Sequence, residues 1–382
     1  MESTRVAIVH EWLENWAGSE LVIEQLIKCY PDAKIFAVVD FLSSKDRARL
    51  GGREIQTSFI QQLPFARRLF RHYLGLMPLA VEQWDLSGFD IVISSHHAVA
   101  KGVITGPDQL HVSYVHSPMR YAWDFQNTYL RQSGLHRGLR GLYIRWLFHR
   151  LRNWDVRAAA GVDAFIANSN YIARRIRKTW RREAAVIAPP VNLERFSVTQ
   201  AKKDHYVVVS RLVPYKRIDL VVEAFRKMPD RKLIVIGGGT DLELVREKAG
   251  GAPNIAIKGH VSDAELQSTL GAARAFVYAG EEDFGISLVE AQAAGTPLIA
   301  YGRGGACDIV QPGVTGLLFD TQSAESIIAA VQEFEEHEKD MKPELCHQNA
   351  LRFSEELFRS RFTSFVAQQW REFMPSRSND RV

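Results

Sequence analysis

Twice along this 382-residue chain, short β-branched apolar runs alternate with helical stretches. That alternation constrains the fold more than any other feature. The first series reads Val6–Trp12, Lys34–Asp40, Asp90–Ser95, Leu110–Ser117, Asp163–Ser169 and Ala184–Pro190, with helices expected near Leu139–Ala160 and Asn170–Trp180. Runs this short, bounded by turn residues, suit parallel strands buried on both faces. Pro189-Pro190 and the polar stretch Ser197–Asp204 read as a linker. A second series follows, YVVVS, KLIVIG, IAIKGHV, AFVYAG, PLIAY and GLLFD. Ile218, Val221, Val222 and Phe225 stripe its first helix at i, i+3, i+4 and i+7. The pattern implies an α/β protein with a doubly wound sheet in each half. The expected domains are 1–198 and 199–356, with a helix at about 357–374 packing back on the first. The polar tail Ser376–Val382 is expected to fray.

Composition narrows the class. Three cysteines, Cys29, Cys307 and Cys346, show no C-x-x-C spacing, which argues for a reducing compartment. Met1–Arg5 is polar and leads into a strand, so no signal peptide is expected, and no apolar run reaches about 18 residues. A cytoplasmic protein is the expectation. The net charge of +4 is uneven: residues 1–200 carry 26 Lys+Arg against 18 Asp+Glu. Between Arg120 and Arg182 the count is 14 against 3. Such a patch suits an anionic partner, or arginines that solvate helix faces.

Open α/β sheets bind ligands beyond the carboxyl ends of their strands. Three loops in the second half therefore stand out. SRLVPYKRID places Arg211 and Lys216 five apart between a strand and a helix, where both can reach one pyrophosphate. In YAGEEDFGISLVEAQAAGTP, Glu282 precedes a helix and Glu290 lies one turn inside it. The N–H groups of Phe284, Gly285 and Ile286 begin that helix and can meet ligand oxygens. KLIVIGGGTD sets Gly237, Gly238 and Gly239 after a strand, where close backbone approach to a nucleotide is the expectation. The third glycine of a dinucleotide fingerprint is absent, which disfavours an NAD-dependent oxidoreductase.

The full string E-D-F-G-I-S-L-V-E-A-Q-A-A-G-T-P and S-R-x-x-x-x-K resemble the retaining glycosyltransferases of family 4. The resemblance spans most of the chain and is strongest over 206–320. It implies the GT-B fold, two doubly wound Rossmann-like domains facing a cleft, with no metal site and no cofactor. Together with HSPMRY, it looks most like mannosyltransferases of bacterial O-antigen and exopolysaccharide assembly. By resemblance, Glu290 binds the ribose hydroxyls of a nucleotide-sugar donor, and Glu282 with the Phe284–Ile286 amides binds the sugar. Arg211 and Lys216 stabilise the leaving diphosphate. His116, at a strand end, touches the donor sugar. Gly238, with the backbone of His260 and Val261, flanks the base. Gly18, in the reduced glycine loop AGSE, lines the cleft.

GDP-mannose is the implied donor and a glycan or lipid-linked glycan the acceptor, with no nucleic acid partner. UDP-, dTDP- or GDP-deoxyhexose donors are alternatives, as is a non-catalytic nucleotide-binding module. That module would be expected to lose Glu282, Arg211 or Lys216, and all three are present. His96 and His97 make a poor metal pair, and no cluster has ligand spacing. Leu139, Leu142, Tyr143, Trp146 and Leu147 form a helical stripe among Arg137, Arg140, Arg145, Arg150 and Arg152, and FARRLFRHY (Phe65–Tyr73) is similar. Two readings stand: an anionic membrane surface on the inner face of the cytoplasmic membrane, or core helices with charged flanks.

Overall fold

The computed structural model describes residues 4–379. The chain divides into two compact units, one running to Pro190 and resuming at Phe358, the other Val191–Leu357.

The first unit holds seven parallel strands: β1 (Val6–Leu13), β2 (Lys34–Asp40), β3 (Ile55–Thr57), β4 (Ile91–His96), β5 (Leu110–Val115), β6 (Ala164–Ala167) and β7 (Ala185–Val186). Their order is β3-β2-β1-β4-β5-β6-β7. Both faces are buried: Ile8, Ile93 and Tyr114 meet one core, and Ala7, Val9 and Val92 meet another. Phe358, Phe362 and Val366, from the helix Glu355–Asn379, join the core of Ile8, Ile93 and Tyr114. That helix runs through Ser376–Asn379, where fraying was expected, because a packed helix propagates at little cost per added residue. Asp380–Val382 lie outside the described residues.

The second unit holds six parallel strands: β8 (Tyr206–Val209), β9 (Leu233–Ile236), β10 (Ile255–Gly259), β11 (Phe276–Tyr278), β12 (Leu298–Tyr301) and β13 (Gly316–Phe319). Their order is β10-β9-β8-β11-β12-β13. The helix Ile218–Arg226 buries Ile218, Val221, Val222 and Phe225, the residues of its sequence stripe. Strand order reverses between β8 and β11, and their carboxyl ends flank the crevice such a reversal creates. Among the described residues, Cys29, Cys307 and Cys346 form no disulfide, and no helix is long and apolar enough to cross a membrane.

Candidate functional site

The switch point of the second sheet carries two of the predicted loops side by side. After β8, the turn Pro214–Lys216 runs into the helix Ile218–Arg226 through Arg217. Arg217 has φ 52°, a left-handed conformation uncommon outside glycine. The turn leaves Arg211 exposed, with Nη2 donating to Tyr215 Oη at 3.2 Å. Lys216 points toward the loop after β11, where its ammonium pairs with the Glu282 carboxylate. The Tyr278 hydroxyl, at the end of β11, donates to the same carboxylate oxygen. Burial and the neighbouring Glu282 charge push the Tyr278 phenol well above its ordinary pKa.

Glu282 is also pinned through its backbone. Its carbonyl accepts the Gly305 N–H at 2.9 Å, and it bridges Gly304. A β-carbon on Gly304 would stand 2.2 Å from the Glu282 carbonyl oxygen, so only glycine permits this approach. Gly285, at φ 104°, turns the chain into the helix Ile286–Ala293. Phe284 is buried with its ring against Phe353 at 5.5 Å, so what it can offer a ligand is its backbone. Its N–H and those of Gly285 and Ile286 sit at the helix start, where intrahelical acceptors are lacking. Glu290 lies on the helix's second turn and keeps a partly exposed edge. Burial pushes its carboxyl up to about 7, against the nearby Arg195 charge and with that of Asp263.

Two of the glycines after β9 lie against the loop after β8. β-Carbons on Gly237 and Gly239 would collide with the carbonyl oxygens of Ser210 and Leu212, at 1.9 and 2.1 Å. Their close approach is to the chain's own backbone, which aligns the loop after β9 with the loop after β8. At Gly238 a β-carbon would stand 3.0 Å from His260 Nε2, so Gly238 and His260 are neighbours. Val261 follows His260 in the loop after β10.

Gly18 and His116 belong to the first unit. Gly18 begins the helix Gly18–Cys29, directly after β1. His116 follows β5, partly exposed, with Nε2 2.8 Å from Ser95 Oγ. Burial holds its imidazole well below the ordinary pKa, helped by His97, His10 and His96 and opposed by Glu11. Behind it, Glu11 on β1 is fully buried and accepts the backbone N–H groups of His97, Ala98, Val99 and Ala100 at 2.7–3.0 Å. Lys101 pairs with Asp155 at 2.5 Å, both side chains fully buried. No group of three or more His, Cys, Asp or Glu suited to a metal occurs among the described residues.

The helix Gly138–Ala160 answers the two readings of its stripe in parts. Phe148, Leu151 and Ala159 are core residues, whereas Leu139, Leu142, Tyr143 and Trp146 are 87, 65, 59 and 54% exposed. Tyr143 stacks on Trp146 and Arg150 lies 5.7 Å over the Trp146 ring. Phe65 is exposed too, while Phe70 is buried.

Tyr278, Gly304 and Gly305 escaped the sequence reading. The pair Gly304-Gly305 after a strand was the one available signal.

Comparison with known proteins gives the family and the fold. Residues 16–195 match the model of Glycosyltransferase Family 4, and 192–352 match that of Glycosyl transferases group 1. The chain belongs to glycosyltransferase family 4 and has the GT-B fold. A GDP-mannose-dependent alpha-(1-6)-phosphatidylinositol monomannoside mannosyltransferase of Mycobacterium tuberculosis is 32% identical over 206 residues, 46% of this chain and 54% of that protein. A D-inositol 3-phosphate glycosyltransferase of Mycobacterium marinum is 31% identical over 192 residues, 44% and 41% of the two chains. The family 4 chain thus spans about half the length of the curated relatives it matches. Among solved structures, sucrose-phosphate synthase from Thermosynechococcus elongatus aligns over 97% of this chain and 100% of its own, with TM-score 0.72 and 17% identity. Anabaena HepE in complex with UDP aligns over 96% and 100%, with TM-score 0.69 and 15% identity.

Proposed function

We propose that this glycosyltransferase moves a hexose, mannose from GDP-mannose, with retention of anomeric configuration, onto a lipid-linked or oligosaccharide acceptor in cell-surface polysaccharide synthesis. The observation that carries the reading is the meeting of Lys216 and Tyr278 on the Glu282 carboxylate at the switch point of the second sheet. Arg211 and Lys216 are fixed cations where a leaving diphosphate gains charge, and preorganised charge of this kind lowers a barrier without a metal. Glu282 and the amides at the start of Ile286–Ala293 receive the sugar. Glu290 receives the ribose, and Gly238, His260 and Val261 flank the base. His116 touches the transferred sugar, and Gly18 offers backbone to the acceptor side. The curated relative named for GDP-mannose supports that donor.

The exposed apolar face of Gly138–Ala160, set among arginines, supports peripheral binding to the inner face of the cytoplasmic membrane. The deciding experiment is a panel of nucleotide sugars scored for thermal stabilisation and for hydrolysis. GDP-mannose is expected to give the largest response in both. Stabilisation without turnover of any donor, in the presence of lipid-linked acceptors, would identify a binding module instead.

A further inference from the structure

In the first unit, residues from β1, β4, the helix Gly18–Cys29 and the end of β5 meet in a row. His10 and Ser95 are fully buried and Glu20 is nearly so. Glu20 Oε2 accepts the Ala17 N–H and the Ser19 hydroxyl, each at 3.0 Å, and its Oε1 faces His10 Nε2 at 3.5 Å. His10 Nδ1 lies 3.2 Å from Ser95 Oγ, and Ser95 Oγ lies 2.8 Å from His116 Nε2. We propose that Glu20, His10 and Ser95 are positioning residues that fix the tautomer of His116, with its hydrogen on Nε2 and its lone pair on Nδ1.

Counting hydrogens along the row leads there. Burial opposes the Glu20 charge, but the facing His10 ring, the backbone N–H at the helix start and the Ser19 hydroxyl outweigh it and hold the carboxyl below its ordinary pKa. A carboxylate offers only lone pairs, so the ring turns an N–H rather than a lone pair toward it: His10 carries its hydrogen on Nε2, 3.5 Å from Glu20 Oε1, a charge–dipole contact and not a hydrogen bond. With its hydrogen on Nε2, His10 has its lone pair on Nδ1 and takes the single Ser95 hydrogen. Ser95 Oγ has none left and must accept from His116, placing the His116 hydrogen on Nε2. His116 Nδ1 is left as an acceptor, suited to a sugar hydroxyl. Fixing a ring through a carboxylate is a recurring way to set which nitrogen does the chemistry.

The test reads the tautomer directly. With ¹⁵N-histidine in the full chain, long-range ¹H–¹⁵N spectra distinguish the two nitrogens, and loss of signal in His116→Gln assigns the ring. Wild type is expected to show Nε2–H. In His10→Phe the Ser95 hydroxyl is released to donate to His116, and the hydrogen moves to Nδ1. In His10→Asn, Oδ1 stands in for the lost Nδ1 and the wild-type pattern returns. Ser95→Ala, a smaller change should His10→Phe misfold, is expected to give a mixture of tautomers. Nδ1–H in wild type, or one unchanged pattern across wild type, His10→Phe and Ser95→Ala, overturns the proposal.

The consequence for donor use rests on the function proposed above. There His10→Phe lowers kcat/KM about 3–10-fold, the worth of one hydrogen bond, and His10→Asn recovers it. The spectra need no substrate, so the two ideas fail separately. An unmoved hydrogen sinks the row; a moved hydrogen with unchanged turnover sinks the sugar contact of His116.

Discussion

Lys216 and Glu282 stand 66 residues apart in the chain, yet the ammonium of one is paired with the carboxylate of the other. Parallel strands β8 and β11 bring them together, because each residue lies in the loop just after its strand. Removing either member leaves a charge in partly buried surroundings. Arg211→Ala and Lys216→Ala are each expected to lower kcat/KM by roughly 10²–10³, the usual worth of one preorganised charge on a developing anion. GDP affinity is expected to fall in both. Near-normal turnover of the two variants would rule out the diphosphate assignment.

The two glutamates are expected to separate by role. Glu290→Gln weakens GDP and GDP-sugar alike and mainly raises KM. Glu282→Gln leaves GDP affinity nearly unchanged and mainly lowers kcat, since its contacts gain strength as the sugar acquires positive charge. Calorimetric titration with GDP beside steady-state kinetics distinguishes them. Equal loss of GDP affinity in both variants contradicts the division.

Glu290 also predicts a pH dependence. Its folded pKa, pushed up to about 7, exceeds the ordinary value of 4.5, so between these pH values the folded chain binds more protons than the unfolded chain. Its contribution to stability is therefore greatest at low pH and declines as pH rises from about 4.5 to about 7. Glu290→Gln is expected to flatten that part of the stability curve, measured by urea denaturation at several pH values. Ribose hydroxyls favour the ionised form, so wild-type GDP binding gains a component that strengthens as pH rises through about 7 and vanishes in the variant. A variant with the wild-type pH profile in both measurements would dismiss Glu290 as the titrating group.

Much of this architecture is legible in the chain, and the reasons differ by element. β2 and the helix Asn170–Trp180 begin and end where pattern places them, because burial on defined faces requires the residue periodicity that sequence displays. The three-residue strand β3 is too short to show any period. Arg211, Lys216 and Glu282 stand out because charged residues in strand-end loops have few structural reasons to be there, and Glu290 stands out by its spacing from Glu282 within the motif. Glu11 did not: it lies inside an apolar run, and its four backbone donors come from a segment 86–89 residues away. The arrival of Lys216 on the carboxylate that Tyr278 also holds is equally a product of strand order, which no local pattern encodes.

Glu11 supplies a stability prediction. Glu11→Leu strips four backbone N–H groups of their acceptor in a buried site and is expected to destabilise the first unit by about 3–5 kcal/mol. Glu11→Gln, which retains one acceptor oxygen, is expected to cost less. Equal unfolding midpoints for the two variants would show that the amides find other partners.

The exposed face of Gly138–Ala160 is expected to bind anionic vesicles at low salt and release them at high salt, since each basic residue near such a surface contributes on the order of 1 kcal/mol and salt screens it. Flotation of Leu139→Ser/Trp146→Ser protein should show reduced binding, because the pair removes two of the most exposed apolar side chains. Absence of wild-type flotation at low salt would end the membrane reading.

The first sheet does not own all of its core in one stretch of chain, since Phe358, Phe362 and Val366 arrive after the whole second unit. On a ribosome adding 5–20 residues per second, the interval between Pro190 and Phe358 lasts about 10–30 s. Throughout it the nascent first sheet lacks the part of its cover that Phe358, Phe362 and Val366 add beside the helix Gly18–Cys29. The second unit, contiguous in sequence, can complete its core while the first still waits. Chaperone engagement during synthesis is thereby directed to the N-terminal half, and a chain released early, before Phe358, carries one finished unit and one that has never closed.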